Sequence, residues 1–166
     1  IYFLKTLIII RHSKSSWKDH SLSDFDRPLN KRGIKDAKKM SFELSEKIKK
    51  VDLLLSSSSK RTTQTSNYFL DSMNIRSNIF SENLYHSSSN LIFDCILKIN
   101  NKYNKTIIVG HNPGLTNIIN KLTNLKLDNL PTSGIVIIVF DVDNWKNINY
   151  KSGLVEWIKF PKDLKL

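Results

Sequence analysis

The sequence is poor in residues that cross-link or stiffen a chain. It has one cysteine, Cys95, among 166 residues, so no disulfide can close within it. A reducing compartment, the cytoplasm, is the simpler expectation. Five glycines, four prolines and a single alanine, Ala37, exclude collagen-like and Gly/Pro-rich disordered sequences. No apolar run approaches the roughly 20 residues that span a bilayer. The opening Ile1–Ile10 is interrupted by Lys5, ends at Arg11-His12 and lacks a small-residue cleavage site, so neither a targeting segment nor a membrane partner is expected. Ile1 rather than Met stands first, which leaves room for native residues before it. Acidic residues are also scarce, 15 against 26 Lys+Arg, for a net charge of +11. Such an excess attracts anions. The lysines are nevertheless scattered, and the densest groups, Lys35–Lys39 and Lys47–Lys50, share one predicted helix as a solvated face, so no nucleic-acid partner is expected.

What is present is an ordinary globular composition, 40% hydrophobic and 25% charged. Its length suits one domain over residues 1–166. Leu7–Ile10, Val51–Leu55, Thr106–Val109 and Ile135–Phe140 are continuous apolar runs of strand length, the pattern of a sheet covered on both faces. Ile75–Phe80 is a further possible strand. Lys31–Lys49 is predicted helical, with Met40, Leu44 and Ile48 on one face and Asn30 as its N-cap. Helices are also predicted over Lys60–Leu70, Leu91–Ile99 and Leu115–Leu122. This alternation predicts an α/β fold with a mainly parallel sheet. The tail, Ile148–Phe160, is expected to add a strand pair at one edge. Ser13–Leu29 has no periodicity, and a loop of that length in a compact domain is usually functional or mobile.

Ligands of open α/β sheets collect beyond the carboxyl ends of the strands. There the sequence places Arg11-His12-Ser13, then Ser56–Ser59 with Lys60-Arg61, then Gly110-His111-Asn112-Pro113-Gly114. Two histidines and two arginines thus converge on one sheet edge. Guanidinium groups match phosphate oxygens bidentately, and a neutral imidazole can attack phosphorus to form a phosphohistidine. A second imidazole, if protonated, adds a donor to the equatorial oxygens. Backbone N–H groups after Gly110-His111-Asn112-Pro113 offer an anion cradle, and Gly110 is expected to let the chain turn tightly beside the ligand. No Asp/Glu/His spacing resembles a metal site, so no cofactor is expected. Trp17, Trp145 and Trp157 are read as packing or loop anchors, and Cys95 as inert core.

In order, "RHSKSSW", "LSDFDRPLNKRG", "SSSKRTTQT", "VGHNPGLT" and "FPKDL" resemble the histidine phosphatase superfamily, the phosphoglycerate mutase-like proteins, and within it the small SixA-type phosphohistidine phosphatases. The resemblance runs through nearly the whole chain. It implies a three-layer α/β/α domain and a metal-independent phosphatase, with His12 the nucleophile and Arg11, Arg61 and His111 the rest of the phosphate pocket. Asn112 and Ser13 are additional phosphate-binding candidates. Glu82 is the first candidate for the general acid, and Asp24 or Asp26 the second. Alternatively, Asp26-Arg27 pair internally, and Lys14, Arg27 and Arg32 form a basic rim. The expected substrate is phosphohistidine on a partner protein. A small phosphate monoester is the alternative, and a non-catalytic basic protein binding phosphate or nucleic acid is the reading from another class. A monomer is expected.

Overall fold

The computed structural model describes residues 4–164. Six strands form one sheet: β1 (Lys5–Arg11), β2 (Lys50–Ser57), β3 (Asn74–Ser81), β4 (Lys105–Gly110), β5 (Ile135–Phe140) and β6 (Leu154–Lys159). The helices are α1 (Lys31–Lys47), α2 (Lys60–Ser72), α3 (Ser89–Leu97) and α4 (Gly114–Leu122). The strand order is β3-β2-β4-β1-β5-β6. Strands β3, β2, β4 and β1 run parallel, whereas β5 is antiparallel to both β1 and β6. The sheet is therefore mixed, with a parallel majority, as the alternating pattern predicts.

Burial explains the uninterrupted apolar runs. Leu7, Ile8, Ile9 and Ile10 are all fully buried. Alternate side chains go to opposite faces: Ile8 and Ile10 pack with Met40, Leu44 and Phe69 of α1 and α2, and Leu7 and Ile9 with Ile92, Ile96, Leu115 and Ile118 of α3 and α4. Helices thus cover both faces, giving three layers. Each such side chain contributes about 1.5–3 kcal/mol when removed from water. Strand β1 is therefore firmly anchored, and the chain leaves the sheet beyond Arg11 at a fixed point.

Helix starts follow their caps. Asn30 Oδ1 accepts from the Gly33 N–H at 2.8 Å, as predicted. Helix α3 begins at Ser89, earlier than its apolar pattern suggests, because Ser88 Oγ accepts from the Leu91 N–H. The tail adds one strand, β6, rather than a pair. Trp145–Asn147 form a 3-10 turn that buries Trp145, whose indole N–H donates to the Tyr103 carbonyl at 2.6 Å. Lys35–Lys39 lies on α1, whereas Lys47–Lys50 runs from the end of α1 into β2 rather than sharing the helix; the lysines of both groups are largely exposed. Among the described residues, no helix is long and apolar enough to cross a membrane.

Candidate active site

Register places the site. On neighbouring strands Arg11 stands opposite Gly110, and Ser56 opposite Val109. The carboxyl ends of β1, β4 and β2 therefore finish together, bringing His12, His111 and Ser57 side by side. Helix α2 starts just beyond β2 and delivers Arg61 from its first turn. The result is a cavity of about 290 Å³ lined by Arg11, His12, Arg61, His111 and Asn112, with Asp24, Arg27 and His86 on its walls.

His12 is buried, and its Nδ1 lies 2.8 Å from the Ser13 carbonyl. A carbonyl only accepts, so Nδ1 carries the hydrogen and Nε2 keeps its lone pair. Burial, with Arg61, Arg11 and Arg27 nearby, outweighs the Ser13 hydrogen bond and lowers its pKa to about 3, so the ring is neutral. The His111 ring sits 5.3 Å away, centroid to centroid. Its Nδ1 faces Arg61 Nη2 at 3.4 Å, and its Nε2 faces Ser57 Oγ at 2.8 Å. Since a guanidinium only donates, Nε2–H donates to Ser57. Burial and the neighbouring His12, Arg61 and His86 lower its pKa to about 2. The second imidazole, a further donor only when protonated, is thus neutral at rest. A phosphate dianion would favour its protonation electrostatically.

Arg61 is almost wholly buried; Nη1 donates to the Asp24 carbonyl at 2.6 Å and Nη2 to the Asp24 carboxylate at 3.0 Å. Arg11 donates from Nη1 to the Leu130 carbonyl at 2.9 Å. Arg11 Nε and Arg61 Nε are buried without a protein partner. Burial first, then Arg61, lowers the Arg11 pKa. Two guanidiniums that repel each other across a cavity create a positive potential that a phosphate dianion relieves.

Several of the residues expected at the site sit elsewhere or do other work. Ser13 is fully buried; its Oγ pairs with Ser133 Oγ and its N–H donates to Thr65 Oγ1 at 2.9 Å, so it lies behind the cavity rather than in it. Asn112 lines the cavity, but its amide is committed: Nδ2 donates to Asn129 and to the Leu130 carbonyl, and Oδ1 accepts from Thr116. It ties α4 to the loop beneath Arg11. Gly110 has no left-handed backbone, and a Cβ there would meet Leu115 at ordinary contact distance. The close approaches are at Gly33 and Gly114, whose Cβ atoms would fall 2.1 Å from the carbonyl oxygens of Lys14 and Ser87.

Glu82 is exposed on a 3-10 turn after β3 and does not line the cavity. Asp26 accepts from Ser23 Oγ and is likewise outside it. The internal pair is Asp24–Arg27, at 2.9 Å, rather than Asp26–Arg27. Asp24 does line the cavity. Burial raises its pKa, but donors from Tyr85, Arg27, His86 and Arg61 overcome this and hold the carboxyl well below its usual range. It is an ionised anchor, unable to donate a proton. Of the expected basic rim, Lys14 and Arg27 line the cavity, whereas Arg32 lies outside it and faces Asp36.

The aperiodic segment 13–29 is folded over the site. Ser15 pairs with Leu29, and the Ser16 N–H donates to the Pro28 carbonyl. Arg27 stacks beneath Trp17, 3.6 Å from its ring centre, and donates to Ser15 Oγ. Sequence reasoning missed Thr65, Ser133, Tyr85 and His86. The last two lie just beyond β3, so the rule that ligands gather at strand ends would have found them had it been applied to that strand. Among the described residues, no three His, Cys, Asp or Glu side chains are grouped to hold a metal ion.

Residues 7–84 match the model of the histidine phosphatase superfamily (branch 1), a stretch that holds Arg11, His12, Asp24 and Arg61. An uncharacterised chloroplastic protein of Arabidopsis thaliana is 48% identical over 61 residues, 37% of this chain and 28% of that protein's length. An uncharacterised protein of Mycobacterium tuberculosis is 27% identical over 139 residues, 78% of this chain and 85% of that one. Among solved structures, a Nakamurella multipartitia protein assigned as the phosphohistidine phosphatase SixA superposes with a TM-score of 0.82 at 18% identity, covering 95% of this chain and 96% of that one. The protein histidine phosphatase SixA complexed with tungstate superposes with a TM-score of 0.79 at 22% identity, covering 96% and 99%. The fold is shared with these structures along nearly the whole chain, and the stretch similar to the histidine phosphatase superfamily (branch 1) contributes three of the four residues that meet at the strand ends.

Proposed function

We propose that the protein is a phosphatase that works through a phosphohistidine on His12, and that its substrate is phosphohistidine borne by a partner protein. The observation that carries this reading is the fixed tautomer of His12: Nδ1–H is held by the Ser13 carbonyl, which leaves the Nε2 lone pair for phosphorus. Arg11 and Arg61 hold the phosphoryl oxygens, and their fixed positive charge stabilises the transferring group. His111 joins them once a phosphate dianion promotes its protonation.

Two features support a protein-borne phosphoramidate. Lys14 and Trp17 stand at the rim, Trp17 with 65% of its surface exposed, as suits a phosphoryl group presented on another protein. The carboxyl group of the cavity, Asp24, is locked in its ionised form, whereas a strongly basic alkoxide needs an acid to leave. A protonated imidazole leaves far more easily. Acid quench after mixing with a phosphorylated substrate, followed by mapping of the label, is expected to find phosphate on His12. Label on His111, or none, overturns the reading. Phosphohistidine and aryl phosphates are expected to be cleaved with higher kcat/KM than sugar phosphates; the reverse order assigns a small-molecule monoester substrate instead.

A further inference from the structure

With Asp24 ionised and Glu82 outside the cavity, the site still needs a group that moves protons, and His86 is an imidazole of the cavity with no role yet assigned. It lines the cavity, and its ring centroid lies 5.1 Å from that of His111. Its Nε2 is 2.9 Å from Asp24 Oδ2. An ionised carboxylate only accepts, so Nε2 carries a hydrogen and Nδ1 is the atom left to exchange one. The Tyr85 ring packs against it at 4.1 Å, and Tyr85 donates its hydroxyl hydrogen to the same carboxylate. His86 also has φ 52°, in the left-handed region that non-glycine residues seldom adopt. Such backbones persist where the surroundings impose them, often at functional sites. A base oriented by a carboxylate is the arrangement that fixes an imidazole for proton transfer. The groups facing it are Asp24, Tyr85 and His111, with Arg61 beyond Asp24.

We propose that His86 is the catalytic acid and base of this site, oriented by Asp24, an assignment that rests on the phosphoenzyme reading above. In the first step His12 Nε2 forms a bond to phosphorus and the bond from phosphorus to the leaving group breaks. The leaving atom takes a proton from Nδ1 of the His86 imidazolium, which becomes neutral. In the second step a water molecule gives a proton to His86 Nδ1 while its oxygen attacks phosphorus. The bond to His12 Nε2 breaks, phosphate departs and the imidazolium is restored. When the leaving group is itself an imidazole, the proton passes between two groups of the same chemical kind.

The test compares the wild type with His86→Asn, whose side chain tolerates left-handed backbone, and with His86→Gly. Rapid quench with p-nitrophenyl phosphate, a good leaving group, is expected to show His86→Asn releasing one equivalent of nitrophenolate in a burst. Turnover then slows on the order of 10²-fold, with phosphate held on His12. With phenyl phosphate the burst itself slows as well. Added imidazole is expected to restore turnover to His86→Gly, which a merely structural role would not allow. A His86→Asn enzyme that turns over both substrates like the wild type, or a folded His86→Gly that imidazole leaves inactive, overturns the role of His86 alone. A wild type that never carries phosphate on His12 overturns the underlying reading, and this assignment with it.

Discussion

Arg61 holds Asp24 by two separate bonds, from Nη1 to its backbone carbonyl at 2.6 Å and from Nη2 to its carboxylate at 3.0 Å. One residue lies in the first turn of α2 and the other sits in the loop after β1, so this pair closes that loop over the cavity. Asp24→Ala removes the carboxylate that Arg61, Arg27, Tyr85 and His86 share but leaves the carbonyl contact. The protein is expected to fold while the four groups lose their common anchor. Since misplacing catalytic groups by about 1 Å can cost on the order of 10²-fold, kcat/KM for an aryl phosphate should fall by about that much. Unchanged kinetics would mean that the anchor is dispensable.

The two imidazoles are not equivalent, because only His12 leaves a free lone pair toward the cavity. His12→Ala is expected to abolish the trapped phosphoenzyme. His111→Ala should slow its formation on the order of 10²–10³-fold, as for loss of one transition-state donor. Rapid-quench kinetics on the two variants separate these outcomes.

Both rings are held neutral by burial, which couples stability to pH. His12 and His111 have folded pKa values of about 3 and about 2, against about 6.5 when unfolded. Below that value the unfolded chain takes up two protons that the native protein does not, so stability falls as pH falls. Their contribution is complete above pH ~6.5 and is lost progressively toward the folded values. Urea midpoints should drop between about pH 7 and about pH 5, with each ring contributing on the order of 1 kcal/mol per pH unit. His12→Asn is expected to lose part of that slope; an identical slope would refute the coupling.

Gly33 lets the first turn of α1 lie against the loop after β1. A Cβ there would stand 2.1 Å from the Lys14 carbonyl oxygen, and that backbone also accepts from the Asn30 N–H. Gly33→Ala should therefore destabilise by about 1–3 kcal/mol through overpacking. In denaturant melts, Gly110→Ala, whose added methyl meets only Leu115, serves as the mild comparison.

Glu82→Gln is expected to leave kcat/KM unchanged for aryl phosphates and phosphohistidine alike, because the side chain stands outside the cavity. A selective loss on poor leaving groups would instead bring Glu82 into the reaction.

The strands β1, β2, β4 and β5, the helices and the four central residues were legible because each leaves a local signature. Two-sided burial demands unbroken apolar runs such as Leu7–Ile10 and Ile135–Phe140, and the polar residues at their carboxyl ends, Arg11-His12 and Gly110-His111, stand out against them. Asn30 announced α1 by its own chemistry. The work of the other site residues is set by partners far away in sequence. Ser13 fits the motif as well as His12 does, yet its hydroxyl is taken by Ser133, 120 residues on. Among the candidate carboxylates, position in the sequence puts Glu82 ahead of Asp24 and Asp26. Only the folding of segment 13–29 over the strand ends gathers Arg61, Tyr85 and His86 around Asp24, and so fixes one carboxylate as ionised and leaves the others in solvent or on the loop. The composition of a strand is decided by what it buries, which neighbouring residues record. The role of an ionisable side chain is decided by the charges around it, and those come together only in the tertiary structure.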